Sequence, residues 1–273
     1  MWIKKSELAA LADLLARAED GKAVDFRDNS EGALSILKNE LHTFTARARA
    51  ERDAANQTQT LFAEFMENIS HQLKTPVTSL LLMADLVEDA PREKQEEFLA
   101  NMRTSLMRMN WLVDTLLKMA KLDAGAVQFE RAPVAVQALV EAATVPLAIL
   151  LEVREQTLVI EEGGVLHCDQ RWTTEALTNL IKNACEASPV GSVISVSAGD
   201  NPLYEWVAVR DAGPGLSRDA VATLFTRFAS DSDQGVGIGL PLALAIARGQ
   251  HGDIEVDAGG KGSGATFTLK LYK

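Results

Sequence analysis

From Met102 to Ala120 the apolar residues Met102, Leu106, Met109, Val113, Leu116 and Ala120 recur at alternating steps of four and three. That spacing is the seam of an α-helix packed lengthwise on another helix. A preceding helix is expected to end near residues 88–90. Pro91 then opens the seam helix, in the first turn where a missing N–H is harmless, and Gly125 closes it. Two helices joined this closely form a hairpin, and a hairpin alone cannot cover so continuous a stripe. A four-helix bundle built by two copies of the chain follows. The methionines of the seam read as core filler rather than as ligands.

The first helix of the hairpin carries Ser70-His71-Gln72-Leu73-Lys74-Thr75-Pro76. Phe65, Ile69, Leu73, Leu80 and Met83 form its apolar stripe, while Glu67, Asn68, Gln72 and Lys74 are polar. His71 falls off the stripe and should face solvent, just before a proline kink. Alone, an exposed helical histidine is as readily a surface residue as a functional one. Upstream, Leu8, Leu11, Leu14 and Leu15 spell a short helix to about residue 18, stopped by Gly21. Residues 22–30 are polar and turn-like, and a second helical run starts near Glu31 and leads towards His71.

Beyond Val127 the pattern changes to alternating strands and helices. Strands are expected at 157–160, 193–197, 206–210, 254–256 and 266–271, and helices at 136–150, 172–187, 218–225 and 240–250. This is a layered α/β sandwich. The fold class is therefore α plus α/β: a helical-hairpin domain forming a dimeric four-helix bundle, then an α/β sandwich. The expected domains are relay helices over 1–55, the hairpin over 56–125 and the sandwich over 126–273.

A chain of 273 residues has room for two cores. Its net charge of −11 argues against tight non-specific nucleic-acid binding. Cys168 and Cys185 have no CxxC spacing and read as small buried hydrophobes in a reducing, cytoplasmic setting. No stretch reads as apolar enough to cross a bilayer, and no signal peptide opens the chain. Trp2, Lys4 and Lys5 look like the cytoplasmic flank of a membrane helix. Any membrane contact is thus expected through a segment absent from this chain.

Several short motifs carry chemistry. Asn179 and Asn183 are four apart and share a helix face, where amides can offer oxygens to hydrated magnesium and donors to phosphate. A solvated polar face would look the same. Asp211-Ala212-Gly213-Pro214-Gly215 follows a strand, so a carboxylate can meet an exocyclic amine while glycines admit a flat ring. An ordinary turn is the plainer reading of so short a pattern. Gly235, Gly237 and Gly239 precede a helix opening at Leu240, where phosphate can approach backbone amides. The strand and βαβ unit of a dinucleotide fingerprint are missing there. Arg227, between Phe225 and Phe228, could reach a terminal phosphate or make a surface ion pair.

In order and spacing, these segments resemble the two-component sensor histidine kinases over roughly residues 56–273. The matching segments are His71 to Pro76, Asn179 to Asn183, Asp211 to Gly215, Phe225 to Phe228 and Gly235 to Leu240. The resemblance implies a dimeric phosphoacceptor hairpin followed by a Bergerat-type domain that binds ATP and magnesium. It implies His71 as nucleophile, Asn183 as magnesium ligand and Asn179 in the phosphate and magnesium site. Asp211 would hold the adenine amine, and Gly213 and Gly215 would line the nucleotide. Gly235, Gly237, Gly239 and Leu240 would border a mobile lid over 229–234, with Arg227 near the γ-phosphate. The implied partner is a response-regulator receiver domain. The first helices resemble the relay module that follows membrane helices in sensor kinases, without its early proline. That makes the chain cytoplasmic, or the cytoplasmic part of an inner-membrane sensor.

Two positions depart from the family pattern. Gln72 stands where an acid usually follows the histidine, and an amide cannot take a proton. It either orients the imidazole with kinase activity retained, or positions a hydrolytic water beside Thr75 and favours dephosphorylation of the partner. Glu186 stands where many relatives carry lysine, and Lys182 is the residue that could compensate. Gyrase and the heat-shock chaperones share the ATP fold but carry a hydrolytic glutamate at the position of Asn179. A nucleotide-binding dimeric scaffold or phosphatase with little kinase activity is the remaining alternative.

Overall fold

The structure, a computed structural model, describes residues 10, 12–14, 16–17, 24–25, 33–87, 90–227, 237–260 and 262–273. Most of the expected first helix and of the polar connector, the Gly21 stop and the whole lid over 229–234 lie outside the described residues. The chain forms two compact units, Met1–Asn68 and Ile69–Lys273.

Helix α1 spans Ala33–Val87 and contains Pro76. In its part within the first unit the Thr43 and Thr45 hydroxyls donate back to the carbonyls of Asn39 and Leu41 at 3.0 and 2.9 Å.

In the second unit, helix α2 runs Arg92–Asp123. Pro91 caps it rather than entering its first turn, and the Pro91 carbonyl accepts from Lys94 and Gln95 N–H at 2.8 and 3.0 Å. Gly125 follows the helix with φ +61°, a conformation glycine takes without strain. The buried residues of α2 are Leu112, Thr115 and Met119. Most of the seam stays out of the core: Leu106 and Val113 are 53% and 43% exposed, and Leu81, Leu82 and Leu117 are exposed as well.

The α/β region begins with strand β1, Ala132–Ala135. Helix α3, Val136–Thr144, a 3-10 turn, Val145–Leu147, and helix α4, Ala148–Val153, occupy the stretch expected as one helix over 136–150. Pro146 supplies no N–H, so one i to i−4 bond is lost and the helix tightens into a 3-10 turn there, although Val145 itself keeps helical angles. The run 136–153 is nonetheless long and apolar enough by composition to span a bilayer, contrary to the expectation that no stretch is. Its Val136, Leu139, Val140, Ala143, Leu147 and Leu151 face the core, so it packs as a core element of the domain.

Then come β2, Thr157–Glu162; β3, Val165–Cys168; helix α5, Gln170–Ala187; β4, Val193–Asp200; β5, Tyr204–Arg210; helix α6, Arg218–Thr223; helix α7, Gly239–Gly249; β6, Gly252–Asp257; and β7, Thr266–Tyr272. The main sheet has the order β2-β4-β5-β7-β6, parallel only between β2 and β4. Strands β1 and β3 form a separate antiparallel pair that the sequence reading did not identify. They are four residues each, too short for alternation to stand out. The core is filled by Ile194, Val196, Val207, Val209, Phe267, Leu269 and Leu271 from the sheet, packed with Leu177, Leu180, Ile181, Leu242 and Ile246 from α5 and α7. Cys168 and Cys185 are free and buried, as expected.

Candidate functional site

His71 lies on α1 with its side chain exposed, off the stripe through Leu73, which packs against the core. Pro76 has no N–H, so the Gln72 carbonyl lacks its ordinary helical donor. The Thr75 hydroxyl turns back and donates to the His71 carbonyl at 3.3 Å. Gln72 itself is half-buried. The helix therefore offers an open imidazole beside a backbone with one bond missing.

Asp211 leaves the end of β5 and is only 5% exposed. Its Oδ1 accepts from Gly213 N–H at 2.8 Å and Ala265 N–H at 3.0 Å. Its own N–H donates to the Ala265 carbonyl at 3.0 Å. With Oδ1 committed to the backbone, Oδ2 is the oxygen available to an incoming donor. The cradle around it has no room for side chains. A Cβ on Gly213 would sit 2.6 Å from the Ala187 carbonyl, and one on Gly264, at φ +71°, would strike the Asp211 carbonyl. Gly215 takes φ +79°, where a Cβ would lie 2.9 Å from the carbonyls of Ala258 and Gly260, just beyond β6.

Asn179, on α5, donates through Nδ2 to the Glu175 carbonyl at 2.8 Å. That bond turns Oδ1 towards α7, where a Cβ on Gly239 would lie 2.7 Å from it. The structure thus brings the asparagine helix and the glycine motif into contact. Asn183, one turn further on, is half-buried, as are Gly237, Gly239 and Leu240; Gly237 has φ +67°. Gly235 lies outside the described residues.

Lys182 is engaged elsewhere than at a phosphate. Its Nζ stands 4.8 Å from the centroid of the Trp111 ring on α2 and 3.7 Å from the Glu186 carboxylate. Arg227 likewise pairs with Asp123 at the end of α2, Nη2 to Oδ1 2.7 Å. Lys118 on α2 pairs with Glu175 on α5 at 2.8 Å. A cleft of about 340 Å³ lies beside the Arg227 pair, lined by Leu122, Asp123, Phe225, Pro241 and Leu244 among others.

Sequence reasoning missed the Gly264–Ala265 wall behind Asp211. The four glycines at 259, 260, 262 and 264 were the available signal. It also missed the acceptor for Arg227, which depends on a contact between residues far apart in sequence. Among the described residues no three His, Cys, Asp or Glu side chains cluster to cage a metal. The oxygen-rich pair Asn179 and Asn183 suits a hard cation that keeps waters and rides on a phosphate. Burial pushes the Cys185 thiol, at the end of α5, up to about 11, with Glu186 adding to the effect.

Two family models match the chain: the His Kinase A (phospho-acceptor) domain over residues 63–125, and the histidine kinase-, DNA gyrase B- and HSP90-like ATPase over residues 168–273. The swarming motility regulation sensor protein RssA of Serratia marcescens is 32% identical over 184 residues, 66% of this chain and 38% of that protein. The signal transduction histidine-protein kinase BaeS of Escherichia coli K12 is 27% identical, covering 62% of this chain and 37% of that protein. The chain therefore spans less than two fifths of the length of these two relatives. Among solved structures, histidine kinase AdeS of Acinetobacter baumannii superposes with a TM-score of 0.63 at 22% identity, covering 74% of this chain and 97% of that one. Histidine kinase ThkA, in complex with response regulator protein TrrA, superposes with a TM-score of 0.64 at 17% identity, covering 83% and 66%. These two likenesses establish the fold.

Proposed function

Because this chain belongs to the two-component sensor histidine kinases, we propose that it transfers the γ-phosphoryl group of ATP to His71 and then to a receiver-domain aspartate. The observation that carries this is the pairing of an exposed His71 with a glycine-walled Asp211 in one chain.

An imidazole nitrogen attacks the γ-phosphorus, the bond to the bridging oxygen breaks, and ADP leaves with that electron pair. The attacking nitrogen must present a free lone pair to phosphorus. Asp211 accepts a hydrogen bond from the adenine amine through Oδ2. Gly213 and Gly215 line the base, while Gly235, Gly237, Gly239 and Leu240 border the lid. Asn183 and Asn179 would hold magnesium, which neutralises charge on the phosphates when bound. Arg227 exchanges Asp123 for the γ-phosphate at transfer. Gln72 orients the imidazole, and Thr75 is tied to the helix backbone rather than aimed at a water.

A homodimer is the working form. The uncovered leucines of the hairpin supply the apolar surface for a second copy. The relay occupies 1–55, the phosphotransfer domain 56–125 and the catalytic domain 126–273. The solved complex of ThkA with a response regulator is the precedent for the receiver partner. The reaction belongs in the cytoplasm.

The test is incubation with γ-labelled ATP and magnesium. The parent chain should acquire an acid-labile, base-stable label, and folded His71→Gln should acquire none. Labelling that survives His71→Gln overturns the assignment. ATP affinity without acid-labile phosphate selects the scaffold or phosphatase reading instead.

A further inference from the structure

Asp211 is held from two sides, and only one of them belongs to the glycine motifs. On the second side the neighbouring Ala212 N–H donates to Ser188 Oγ at 3.0 Å. The same hydroxyl donates to the Ala184 carbonyl at 2.7 Å, so both its hydrogen and a lone pair are committed. Ser188 is 3% exposed. Its carbonyl accepts from Gln156 Nε2 at 3.2 Å and from Arg154 Nη1 at 3.1 Å.

Gln156 does more than touch Ser188. Its Nε2 also stands 3.0 Å from the Cys185 carbonyl and 2.9 Å from the Pro189 carbonyl, while its buried Oε1 has no hydrogen-bond partner. A buried amide that leaves its oxygen unpaired while its nitrogen sits among three carbonyls is an unusual arrangement. It binds the last turn of α5 to the start of β2. Gly213 closes the gap from above, since even a Cβ there would meet the Ala187 carbonyl. The height of the 211–212 peptide over α5 is therefore set by this chain of contacts.

We infer that Ser188, itself held by Gln156, is a positioning residue that sets the preference of Asp211 for adenine over guanine. This rests on the reading of Asp211 as the purine contact. A carboxylate oxygen accepts from the adenine amine but repels the keto oxygen that guanine places there. A site built around one hydrogen bond discriminates strongly only while its geometry is kept. Displacing Asp211 weakens the bond to adenine and costs guanine, which makes none there, nothing.

The experiment measures ADP and GDP affinities, with magnesium, for the full chain, Ser188→Ala, Gln156→Met and Asp211→Asn, alongside melting curves. Ser188→Ala should weaken ADP about tenfold and GDP less than about twofold, the scale expected when one buried hydrogen bond is lost. Gln156→Met should move the ratio the same way by about threefold, and it carries the test if Ser188→Ala fails to fold. Parallel loss of both nucleotides, or unchanged ADP affinity in a folded variant, overturns the positioning role. A parent chain that binds ADP no better than GDP, or an Asp211→Asn that changes neither affinity, defeats the underlying site assignment and this inference with it.

Discussion

Arg227 and Asp123 lie 104 residues apart in sequence, yet their side chains meet at 2.7 Å across the junction of α2 with the catalytic domain. Both are partly exposed, which bounds the pair at about 0.2–1 kcal/mol. If Arg227 must leave Asp123 to reach a phosphate, that energy opposes transfer. Asp123→Ala should then raise the single-turnover rate of His71 labelling by up to about fivefold. Arg227→Ala should lower it. Quenched-flow labelling at matched ionic strength separates the two.

Gly239 backs directly onto Asn179. In Gly239→Ala the new methyl group would press on Oδ1 from 2.7 Å, and the asparagine amide would have to turn. Overpacking of this kind costs about 1–3 kcal/mol of folding stability, and the displaced amide should weaken nucleotide binding as well. Titration with a fluorescent nucleotide checks the affinity, and a melting curve lowered by several degrees reports the overpacking itself.

At position 72 the amide cannot take a proton. Gln72→Glu supplies a base beside His71 and should raise the rate of autophosphorylation by about tenfold or more, within the usual reach of general-base catalysis. An unchanged rate would mean that orientation, rather than proton acceptance, is the function of this side chain.

Burial raises the Cys185 thiol to about 11, and burial likewise raises Cys168. A thiol raised on folding contributes stability that is fully present below its unfolded value near 8.5 and is lost as pH climbs through about 11. At pH 8 both cysteines should react with a thiol probe only at the rate of unfolding. Cys185→Ser should flatten the alkaline loss of stability, read from urea midpoints between pH 8 and 11.

Leu106, 53% exposed, and Leu117, 56% exposed, are poor surface residues for a lone chain. Leu106→Asp should remove about 2 kcal/mol of burial per copy from the dimer and weaken it by about a hundredfold or more. Sedimentation at micromolar concentration should then report half the parent mass.

The hairpin and the order of the α/β elements could be read from spacing alone, because a seam of threes and fours and the strand alternation are local patterns. His71 was found off its stripe for the same reason. Asp211 and Asn179 stood out in the sequence as motif residues, but the contacts that fix their side chains did not. Gly264 meets Asp211, Gly239 meets Asn179, and Asp123 meets Arg227 only after distant segments fold together. The break at Pro146 was written in the residue itself, yet the apolar run around it carried more weight in the periodicity. Strands of four residues, such as β1 and β3, contain too few alternations to distinguish from a loop.

The double tether on Asp211 Oδ1 has a thermodynamic consequence. Two backbone amides at 2.8 and 3.0 Å already quench the rotation of that carboxylate before any base arrives. With adenine on Asp211 as proposed, ordering on association then falls to the ribose and the phosphates, with little left for the adenine end. Base recognition should consequently be fast and similar in all nucleotides sharing that ring, while the phosphate tail governs how long each one stays.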